Sequence, residues 1–434
     1  MLDIKGIIKR NLLLKMTSLN AVVIIIRLVV SLFIQRLLAV TLGEAGIAKI
    51  GQLRNLMQIL TSTASLGTFN GIVKYVSQHE TEQNRLGRLF SSAFILGALG
   101  SIASALILFF SAGYISEELF GSDQYVDVIK CLSLIPPIIG LNRIFYGLIN
   151  GLSDYKKFAK IELGTYLISA ALLLLFLHYF SLKGVLFSII LTPLISFFVI
   201  IIFFTKKIKA HIKRSTLSMD LSFVKPLLAF TLMSFISTVL LNYIELDIRT
   251  TITNRINIDE AGYWTAMNFI SKNYMVFSSS LFTLYVIPKF AKIHTGSDFM
   301  TEVLHIYKTL LPLFGLGMIL VFLCRNLIIN IIYPDFEGLR ELFKWQLLGD
   351  FIRLATLVIS HQFLAKRMVI TFIITELISL GLFYVFAKYY VDIYGAEGVV
   401  MAHFYRYIIY FFVVIFATWL FFRNQKSHRD IDVS

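Results

Sequence analysis

The stretch from Gly43 to Glu80 places polar side chains inside an apolar run that is long enough to cross a bilayer. One polar stripe recurs within it at helical spacing and consists of Arg54, Gln58, Thr61 and Ser65. A charge at the centre of a membrane costs about 2.5–3.5 kcal/mol on insertion scales. We therefore predict that the stripe faces protein or a water-filled cavity, and we interpret this helix as the wall of a polar cavity.

Three cations indicate what such a cavity would bind. Arg27, Arg54 and Lys272 lie inside predicted spans, and none has an acid three or four positions along its own helix. Interhelical ion pairs with Glu376 or Asp350 are the structural alternative. Unpaired guanidinium groups suit phosphate because their planar donors bind oxygens in pairs, and the Ser, Thr, Asn and Gln of the stripe suit hydroxyl groups. We predict an anionic, phosphate-bearing and sugar-like ligand.

Other polar residues inside predicted spans are functional candidates by default. The predicted substrate-binding residues are Arg27, Arg54, Gln58, Asn70, Lys74, Lys272, Asn273 and Arg353, and the predicted coupling residues are Asp350, Glu376, Glu245 and Asp247. For several of them a structural role is the alternative. Asp350 and Arg353 are three apart and could neutralise each other, and Lys74 could snorkel to the headgroups. His403 is expected to be a packed or interfacial histidine rather than a proton relay.

Catalytic and cofactor motifs are missing from the sequence. It contains no glycine-rich phosphate loop of the Walker type and no metal-ligand spacing, which predicts a chain that is not an enzyme and uses no cofactor. Cys131 and Cys324 lie far apart in apolar segments, so neither a disulfide nor a metal site is indicated. No outer connection is long enough to host the chemistry of a polymerase, ligase or glycosyltransferase.

Composition defines the elements that must position these residues. The 434 residues are 57% hydrophobic and 15% charged, with a mean hydropathy of +0.77, whereas soluble domains carry about 25% charged residues. The chain is therefore expected to be a multi-pass, all-α membrane protein, since long apolar runs must satisfy their backbone hydrogen bonds internally. The net charge of +14 could suggest nucleic acid, but its distribution argues against that partner.

We predict twelve transmembrane helices in two bundles of six. The first six are Asn20–Val40, Ile47–Val76, Leu89–Tyr114, Val126–Leu148, Ile161–Tyr179 and Val185–Phe204. The second six are Phe223–Thr250, Tyr263–Ile287, Val303–Leu323, Leu342–Ala365, Val369–Tyr389 and Val399–Phe422. The predicted domains are an N-terminal bundle at 1–204, a basic linker at 205–222 that lies on anionic lipid, and a C-terminal bundle at 223–434 that includes a short tail.

Charge in the connections predicts the orientation. The side that holds both termini carries 22 Lys and Arg residues and the opposite side carries 5, which makes the first side cytoplasmic.

A weak repeat relates the two halves. Glu44-Ala45-Gly46 falls on Glu260-Ala261-Gly262 at a shift of 216 residues. Arg143 and Arg353 are 210 apart, and Lys156-Lys157 meets Lys366-Arg367 at that same shift. With six helices in each half, we expect the halves to be related by an axis along the membrane normal.

Three segments carry a family resemblance that extends over essentially the whole chain. They are GQLRNLMQIL (Gly51–Leu60), GTFNGIVKYVSQ (Gly67–Gln78) and LFKWQLLGD (Leu342–Asp350). With the twelve-span plan, they resemble the Wzx-type flippases, the O-antigen translocases and lipid III flippases of the multidrug/oligosaccharidyl-lipid/polysaccharide (MOP) exporter superfamily. By this resemblance Arg54, Asn70-Gly71, Lys74, Trp345-Gln346 and Gly349-Asp350 sit at matching motif positions.

The resemblance implies two six-helix bundles around a central cationic cavity that opens alternately to each side. It implies transfer of an undecaprenyl-diphosphate-linked oligosaccharide to the periplasmic leaflet of the bacterial inner membrane. The implied partners are this lipid-linked substrate and membrane lipids, and we also expect polysaccharide polymerase and chain-length proteins. Arg54, Lys272 and Arg27 would hold the diphosphate, and Glu376 or Asp350 would carry a coupling ion.

Three other functions are weighed against this one. A multidrug exporter of the same superfamily should have an acidic, aromatic cavity for cationic drugs, whereas the predicted cavity is basic. A membrane enzyme of polysaccharide assembly should carry a long outer loop with His, Arg or Asp, and no such loop is present. A scaffold would not need charges buried in two matching helices.

Overall fold

The computed structural model describes residues 12–213, 221–282, 286–293, 295–366 and 368–431, and this part of the chain is helical, without β-strands. The helices of the first part are α1 (Leu12–Thr63), α2 (Phe69–Gln78), α3 (Gln83–Phe110), α4 (Ala112–Phe120), α5 (Val126–Leu132), α6 (Pro136–Gly151) and α7 (Tyr155–His211). Those that follow are α8 (Val224–Ser234), α9 (Leu241–Arg255), α10 (Ile258–Leu281), α11 (Ile287–Ala291), α12 (Gly296–Leu323), α13 (Arg325–Ile332), α14 (Leu339–Ala365) and α15 (Val369–Ile431).

Three helices are far longer than one membrane crossing requires. α1, α7 and α15 contain 52, 57 and 63 residues, whereas about 20 residues cross a bilayer. Each has one residue with positive φ in its interior, namely Gly43, Ser181 and Gly395. That conformation is incompatible with a right-handed helix, so each of the three consists of two helical arms joined at a break.

The apolar helices confirm a multi-pass membrane protein. In the part of the chain that the structure describes, seven helices are long and apolar enough to cross a membrane, and an eighth is added if the bent pair Asp123–Leu132 and Pro136–Gly151 counts as one span. This count treats each of the long broken helices as one. The number twelve therefore stays a prediction.

Two predicted spans are interrupted where the sequence suggested continuous helix. The predicted Ile47–Val76 span is broken between α1 and α2, where Leu66 and Gly67 adopt positive φ. The predicted Val126–Leu148 span bends by 45° between α5 and α6. Pro136 and Pro137 begin α6 and cannot continue the hydrogen bonding of α5, because proline has no N–H.

Contacts divide the chain into two compact units. The first comprises Met1–Leu42 and Lys49–Leu246, and the second comprises Gly43–Ala48 and Asp247–Ser434. The predicted domains at 1–204, 205–222 and 223–434 follow the sequence repeat rather than these contacts, and they stay a prediction. Residues 205–211 of the predicted linker continue α7, whereas 214–220 lie outside the described residues.

The first unit has an apolar core between α2, α3, α6, α7 and α8. Its fully buried members include Ile72, Phe90, Leu148, Ile161, Ile200 and Leu227. Leu227 belongs to α8, and its burial explains why this helix groups with the first unit although it follows the predicted linker. The core holds these helices in fixed positions, and α6 and α7 then present polar side chains on other faces.

The same backbone break occurs in both halves, 214 residues apart. Ser181 in α7 has φ 51° and ψ −139°, and Gly395 in α15 has φ 59° and ψ −138°. Three residues later, a Cβ on Gly184 would lie 2.3 Å from the Phe176 carbonyl oxygen, and a Cβ on Gly398 would lie 2.2 Å from that of Tyr390. Only glycine permits so close an approach. This shared geometry supports the predicted duplication.

Candidate functional site

A cavity of about 490 Å³ lies inside the first unit, between α1, α6 and α7. Most of its lining residues are polar, and these are Arg27, Ser31, Gln35, Arg54, Gln58, Thr61, Asn142, Arg143, Tyr146, Glu162, Thr165, Tyr166, Ser169, Ser188, Thr192 and Ser196. Among these described lining residues three are arginines and one is a glutamate, which leaves a charge of +2 when all are ionised. The cavity therefore attracts anions, and its hydroxyl and amide groups can bind a ligand that is rich in hydroxyls.

The polar stripe of α1 faces this cavity, as the sequence predicts. Arg54, Gln58 and Thr61 all line it, because residues three and four apart share one face of a helix. Ser65 does not belong to the lining. Its hydroxyl is buried and donates to the Thr61 carbonyl oxygen at 2.9 Å, at the point where α1 ends. The stripe thus reaches the cavity for about two turns and stops at the break.

Arg27 corrects the expectation of an unpaired cation. Its Nη1 lies 2.9 Å from Oε2 of Glu162 in α7, and Glu162 was not among the predicted site residues. The partner is 135 positions away in sequence, so a search along one helix could not find it. The side chains of Arg27 and Glu162 are 43% and 29% exposed, and the pair is therefore accessible from the cavity.

Tyr166 fixes the position of Arg27 further. The Tyr166 hydroxyl donates to the Arg27 carbonyl oxygen at 3.1 Å. The Arg27 guanidinium carbon also lies 5.1 Å from the centre of the Tyr166 ring, within the range of a cation–π contact. One turn of α7 therefore supplies both the counter-ion and the aromatic surface for this arginine.

Arg143 is a third cavity arginine, which the site prediction omitted. Its guanidinium carbon lies 4.0 Å from the centre of the Phe69 ring, and its buried Nε has no hydrogen-bond partner among the described residues. The neighbouring Asn142 is anchored, since its Nδ2 donates to the Pro193 carbonyl oxygen at 2.7 Å. A signal was present in the sequence, because Arg143 is the repeat partner of the predicted site residue Arg353.

The second unit contains a different arrangement, which centres on the fully buried Asp350. Four side chains donate hydrogen bonds or pair with its carboxylate: Ser271 at 2.5 Å, Tyr274, Gln346 at 3.0 Å, and His403 at 3.0 Å. Arg353 lies 3.7 Å away, in agreement with the alternative in which Asp350 and Arg353 neutralise each other. A buried carboxylate with this many partners joins α10, α14 and α15. Its predicted coupling role stays a prediction.

The LFKWQLLGD motif is explained by this packing. Gln346 and Asp350 are four apart on α14 and bond to each other. Trp345 Nε1 donates to Oε1 of Glu397 at 2.9 Å. A Cβ on Gly349 would lie 2.5 Å from Cδ2 of His403, so glycine lets α15 approach closely enough for His403 to reach Asp350. His403 is accordingly a packed histidine, as expected.

The remaining predicted substrate residues do not line the cavity of the first unit. Asn70 is exposed, and Lys74 Nζ lies 5.0 Å and 5.6 Å from the ring centres of Tyr75 and Phe230. In the second unit Lys272 is exposed, and the buried Nδ2 of Asn273 has no hydrogen-bond partner among the described residues. Their predicted roles in substrate binding stay predictions.

The other predicted coupling residues each have a defined neighbour. Glu376 accepts a hydrogen bond from the Tyr410 hydroxyl at 3.2 Å. Glu245 accepts from Asn55 Nδ2 at 3.3 Å, which ties α9 to α1 within the first unit. Asp247 pairs with Lys388 at 2.6 Å. Within the described residues no group of three His, Cys, Asp or Glu side chains could hold a metal ion.

Comparison with known proteins places the chain in a polysaccharide biosynthesis protein family. A family profile described as "polysaccharide biosynthesis protein" matches residues 51–335. The lipid III flippase of Escherichia coli (strain K12) is 28% identical over 405 residues, which covers 91% of this chain and 96% of that protein. The lipid III flippase of Shigella flexneri matches to the same extent.

Solved structures show the same fold. A multidrug resistance MATE family transporter of the MOP superfamily, in its inward-facing conformation, matches with a TM-score of 0.72 at 13% identity, over 92% of this chain and 96% of that one. The lipid II flippase MurJ, in an inward closed conformation, also matches with a TM-score of 0.72, at 15% identity, over 93% of this chain and 90% of that one. The fold is therefore that of the MOP exporters.

Proposed function

The chain belongs to the polysaccharide biosynthesis protein family, and on that premise we propose that it is a flippase for a lipid-linked oligosaccharide. The observation that carries this proposal is the polar cavity of the first unit, which holds three arginines. The similarity to lipid III flippases over nearly the whole chain supports it. The substrate carries a diphosphate between its polyprenyl tail and its glycan, and it crosses from the cytoplasmic to the periplasmic leaflet of the bacterial inner membrane.

The cavity arginines bind the diphosphate. Guanidinium groups offer paired donors to phosphate oxygens, and Arg27, Arg54 and Arg143 line one cavity. The glycan binds to the uncharged polar residues of the same wall, among them Asn142 and Ser169, which have buried oxygen atoms without hydrogen-bond partners in the described structure. Sugar hydroxyls can donate to these atoms. The polyprenyl tail stays in the lipid.

Glu162 competes with the substrate phosphate for Arg27. The Glu162 carboxylate pairs with Arg27 in the structure, so a phosphate has to displace it in order to bind this arginine. Because the pair is partly exposed, its net stability is on the order of 0.2–1 kcal/mol. A dianionic ligand that contacts several arginines therefore displaces Glu162 readily.

Transport proceeds by alternating access of the cavity to the two sides of the membrane. An inside-negative potential favours outward movement of negative charge by about 2.3 kcal/mol per charge per 100 mV. A coupling ion at Glu376 or Asp350 completes the cycle, with Glu245 and Asp247 as further candidates.

Both termini lie in the cytoplasm. Polysaccharide polymerase and chain-length proteins are the partners that act on the delivered substrate.

Variants at Arg54 test the binding role. We expect Arg54→Ala to abolish complementation of a flippase-deficient strain, and Arg54→Lys to retain part of it because a point charge cannot reproduce the bidentate fork. Arg88→Ala, an exposed arginine of the first unit outside the cavity lining, is the matched control. Protein amount is checked by immunoblot. Rescue of Arg54→Ala by Glu376→Gln or Asp350→Asn would instead make Arg54 an ion-pair partner and contradict the proposal.

The same complementation assay, applied to Lys272→Ala and Lys272→Arg, tests whether Lys272 binds the substrate.

Cysteine labelling tests the orientation. Single cysteines at Ser122 and Asn257, in a background without Cys131 and Cys324, should react with an impermeant reagent added to intact cells. A cysteine at Ser153 should be protected until the membrane is opened. Ser215, a further position on the protected side, lies outside the described residues. Labelling of Ser153 together with protection of Ser122 would reverse the orientation.

A further inference from the structure

A second concave surface lies in the second unit and plays no part in the proposed transport cavity. It is an open groove of about 590 Å³ between the two arms of α15, and it is lined almost entirely by apolar side chains. The lining residues of the first arm and the residue before it are Met368, Ile370, Thr371, Ile374, Thr375 and Ile378, and those of the second arm are Val413, Phe416, Ala417, Leu420 and Phe421. We name this surface the α15 groove.

The length of the α15 groove matches one leaflet of a bilayer. The two arms are antiparallel, because Glu376, Ser379 and Phe383 of the first arm contact Tyr410, Arg406 and His403 of the second, respectively. From Met368 to Ile378 the helix rises about 15 Å at 1.5 Å per residue. The hydrocarbon core of a bilayer is about 30 Å thick, so the groove runs through about half of it. An extended acyl chain of one leaflet fits this length.

One end of the α15 groove carries positive charge and the other does not. Arg423 is exposed and lies three residues beyond Leu420 and seven beyond Phe416, on the same helical face as both. Its guanidinium carbon lies 5.1 Å from the ring centre of Trp419. Lys366, two residues before Met368, lies at the same end. Paired Trp and Arg side chains are typical of the headgroup level of a membrane.

The opposite end of the α15 groove is apolar. With Arg423 and Trp419 at the headgroup level, this end lies near the middle of the membrane. Ile378 and Val413 close it, and Thr375 is 3% exposed. Ile370, Ile374 and Phe416 are 74%, 52% and 59% exposed, so the groove opens sideways to lipid along its length. A chain can therefore enter from the bilayer without passing through the protein.

We propose that the α15 groove is a binding site for an anionic phospholipid, with one acyl chain along the groove and the phosphate headgroup at Arg423 and Lys366. The positive charge at one end favours an anionic headgroup, since each cation near the membrane surface strengthens binding of an anionic lipid by roughly fivefold. The length of the groove fits an acyl chain of one leaflet. The inference does not depend on the transported substrate.

Photo-crosslinking tests this site. The full chain is placed in phosphatidylcholine nanodiscs that contain phosphatidylglycerol with a diazirine midway along one acyl chain, and the labelled peptides are identified by mass spectrometry. A phosphatidylcholine probe with the same diazirine and a diazirine-bearing polyprenyl phosphate form the parallel arms. We expect the phosphatidylglycerol probe to label the α15 groove several-fold more strongly than either of the others.

Variants then locate the binding. Ala417→Phe and Ile374→Trp fill the α15 groove and should each lower the labelling by at least fivefold, whereas Leu316→Trp, at a 68% exposed position of α12, should not. Arg423→Gln should reduce phosphatidylglycerol labelling to the level of phosphatidylcholine, and Lys308→Gln, an exposed lysine of α12, should leave it unchanged.

Four results would overturn the proposal. Equal labelling by the two phospholipid probes would indicate ordinary surrounding lipid. Stronger labelling by polyprenyl phosphate would assign the α15 groove to the substrate tail. Labelling that survives both groove-filling variants would place the lipid elsewhere. Protein dimers cross-linked through these residues would identify a second copy of the chain as the occupant. Complementation by the same variants is read separately, so a failure of the flippase proposal is recognised independently of this one.

Discussion

Arg143 and Arg353 occupy equivalent places in the repeat and have different surroundings. Arg143 in α6 lines the cavity of the first unit, with its guanidinium over Phe69. Arg353 in α14 lies 3.7 Å from the buried Asp350 and over the ring of Tyr407. Both arginines stack on an aromatic ring, so the difference lies in the acid. Under the proposed function Arg143 contacts the ligand, whereas Arg353 lies beside the hydrogen-bonded network of Asp350.

The position three residues before each arginine accounts for the difference. In the second unit it is Asp350, and in the first it is Gly140. A Cβ on Gly140 would lie 2.8 Å from Ser101 Oγ and 3.1 Å from the Ala64 carbonyl oxygen, which leaves no room for a carboxylate. The first unit thus cannot neutralise Arg143 from this position of its own helix. The acid of the described cavity lining is Glu162, which pairs with Arg27.

The largest effect is expected from removing the acid of the second unit. Asp350→Leu should lower the free energy of unfolding by about 3–5 kcal/mol, because it leaves buried partners of the carboxylate uncompensated. Asp350→Asn, which keeps the shape and part of the hydrogen bonding, should cost less. Unfolding of the purified protein in mixed micelles with increasing SDS measures both. Equal stability of the leucine variant and the wild type would contradict the structural role of Asp350.

The next effect concerns ligand binding by the first unit. Arg143→Gln should weaken binding of a polyprenyl diphosphate roughly ten- to hundredfold, since a hydrogen bond to a charged group contributes about 1.5–3 kcal/mol. Arg143→Lys should lose less, because it keeps the charge. Binding is measured by fluorescence titration in micelles, with unfolding measured in parallel. A loss of stability without a loss of affinity would show that Arg143 behaves as Arg353 does.

A smaller effect is expected at the equivalent arginine. Arg353→Gln should lower the free energy of unfolding by about 1 kcal/mol or less, because the side chain is 34% exposed and solvent screens the pair. Asp350 retains its hydrogen bonds to Ser271, Tyr274, Gln346 and His403 in this variant. Affinity for polyprenyl diphosphate in the same titration should stay within about twofold of wild type. A tenfold weaker binding would instead support the predicted role of Arg353 in substrate binding.

The smallest effect is expected at Glu162. Glu162→Gln removes a partly exposed ion pair of about 0.2–1 kcal/mol, so affinity for polyprenyl diphosphate should rise by up to about fivefold. Glu82→Gln, an exposed acid of the first unit outside the cavity lining, is the control. A decrease in affinity for the Glu162 variant would mean that its carboxylate positions Arg27 for the ligand rather than competing with it.

Several features of the site follow from the sequence because they are local. Residues at three- and four-residue spacing share a helical face, so helical periodicity alone assigns Arg54, Gln58 and Thr61 to one wall. The same rule places Asp350 and Arg353 on one helical face, where the two could neutralise each other. The predicted spans also end and begin on either side of Gly43, Ser181 and Gly395, so the breaks in α1, α7 and α15 fall in predicted connections. Helical periodicity does not predict the break at Leu66 and Gly67, which interrupts the predicted Ile47–Val76 span.

The sequence by itself determined that this protein is a multi-pass helical membrane protein with a repeat, a polar stripe in a spanning helix and a basic interior. These properties follow from composition and helical periodicity, which act over a few residues. The tertiary structure decided which charges meet. Glu162 pairs with Arg27 across 135 residues, and His403 reaches Asp350 because Gly349 allows α15 to approach. Arg143 joins Arg27 and Arg54 in the wall of one cavity. Electrostatic partners are set by distance in space, and the strength of each pair depends on burial, because solvent screens the partly exposed Arg27–Glu162 pair more than the contacts of the buried Asp350.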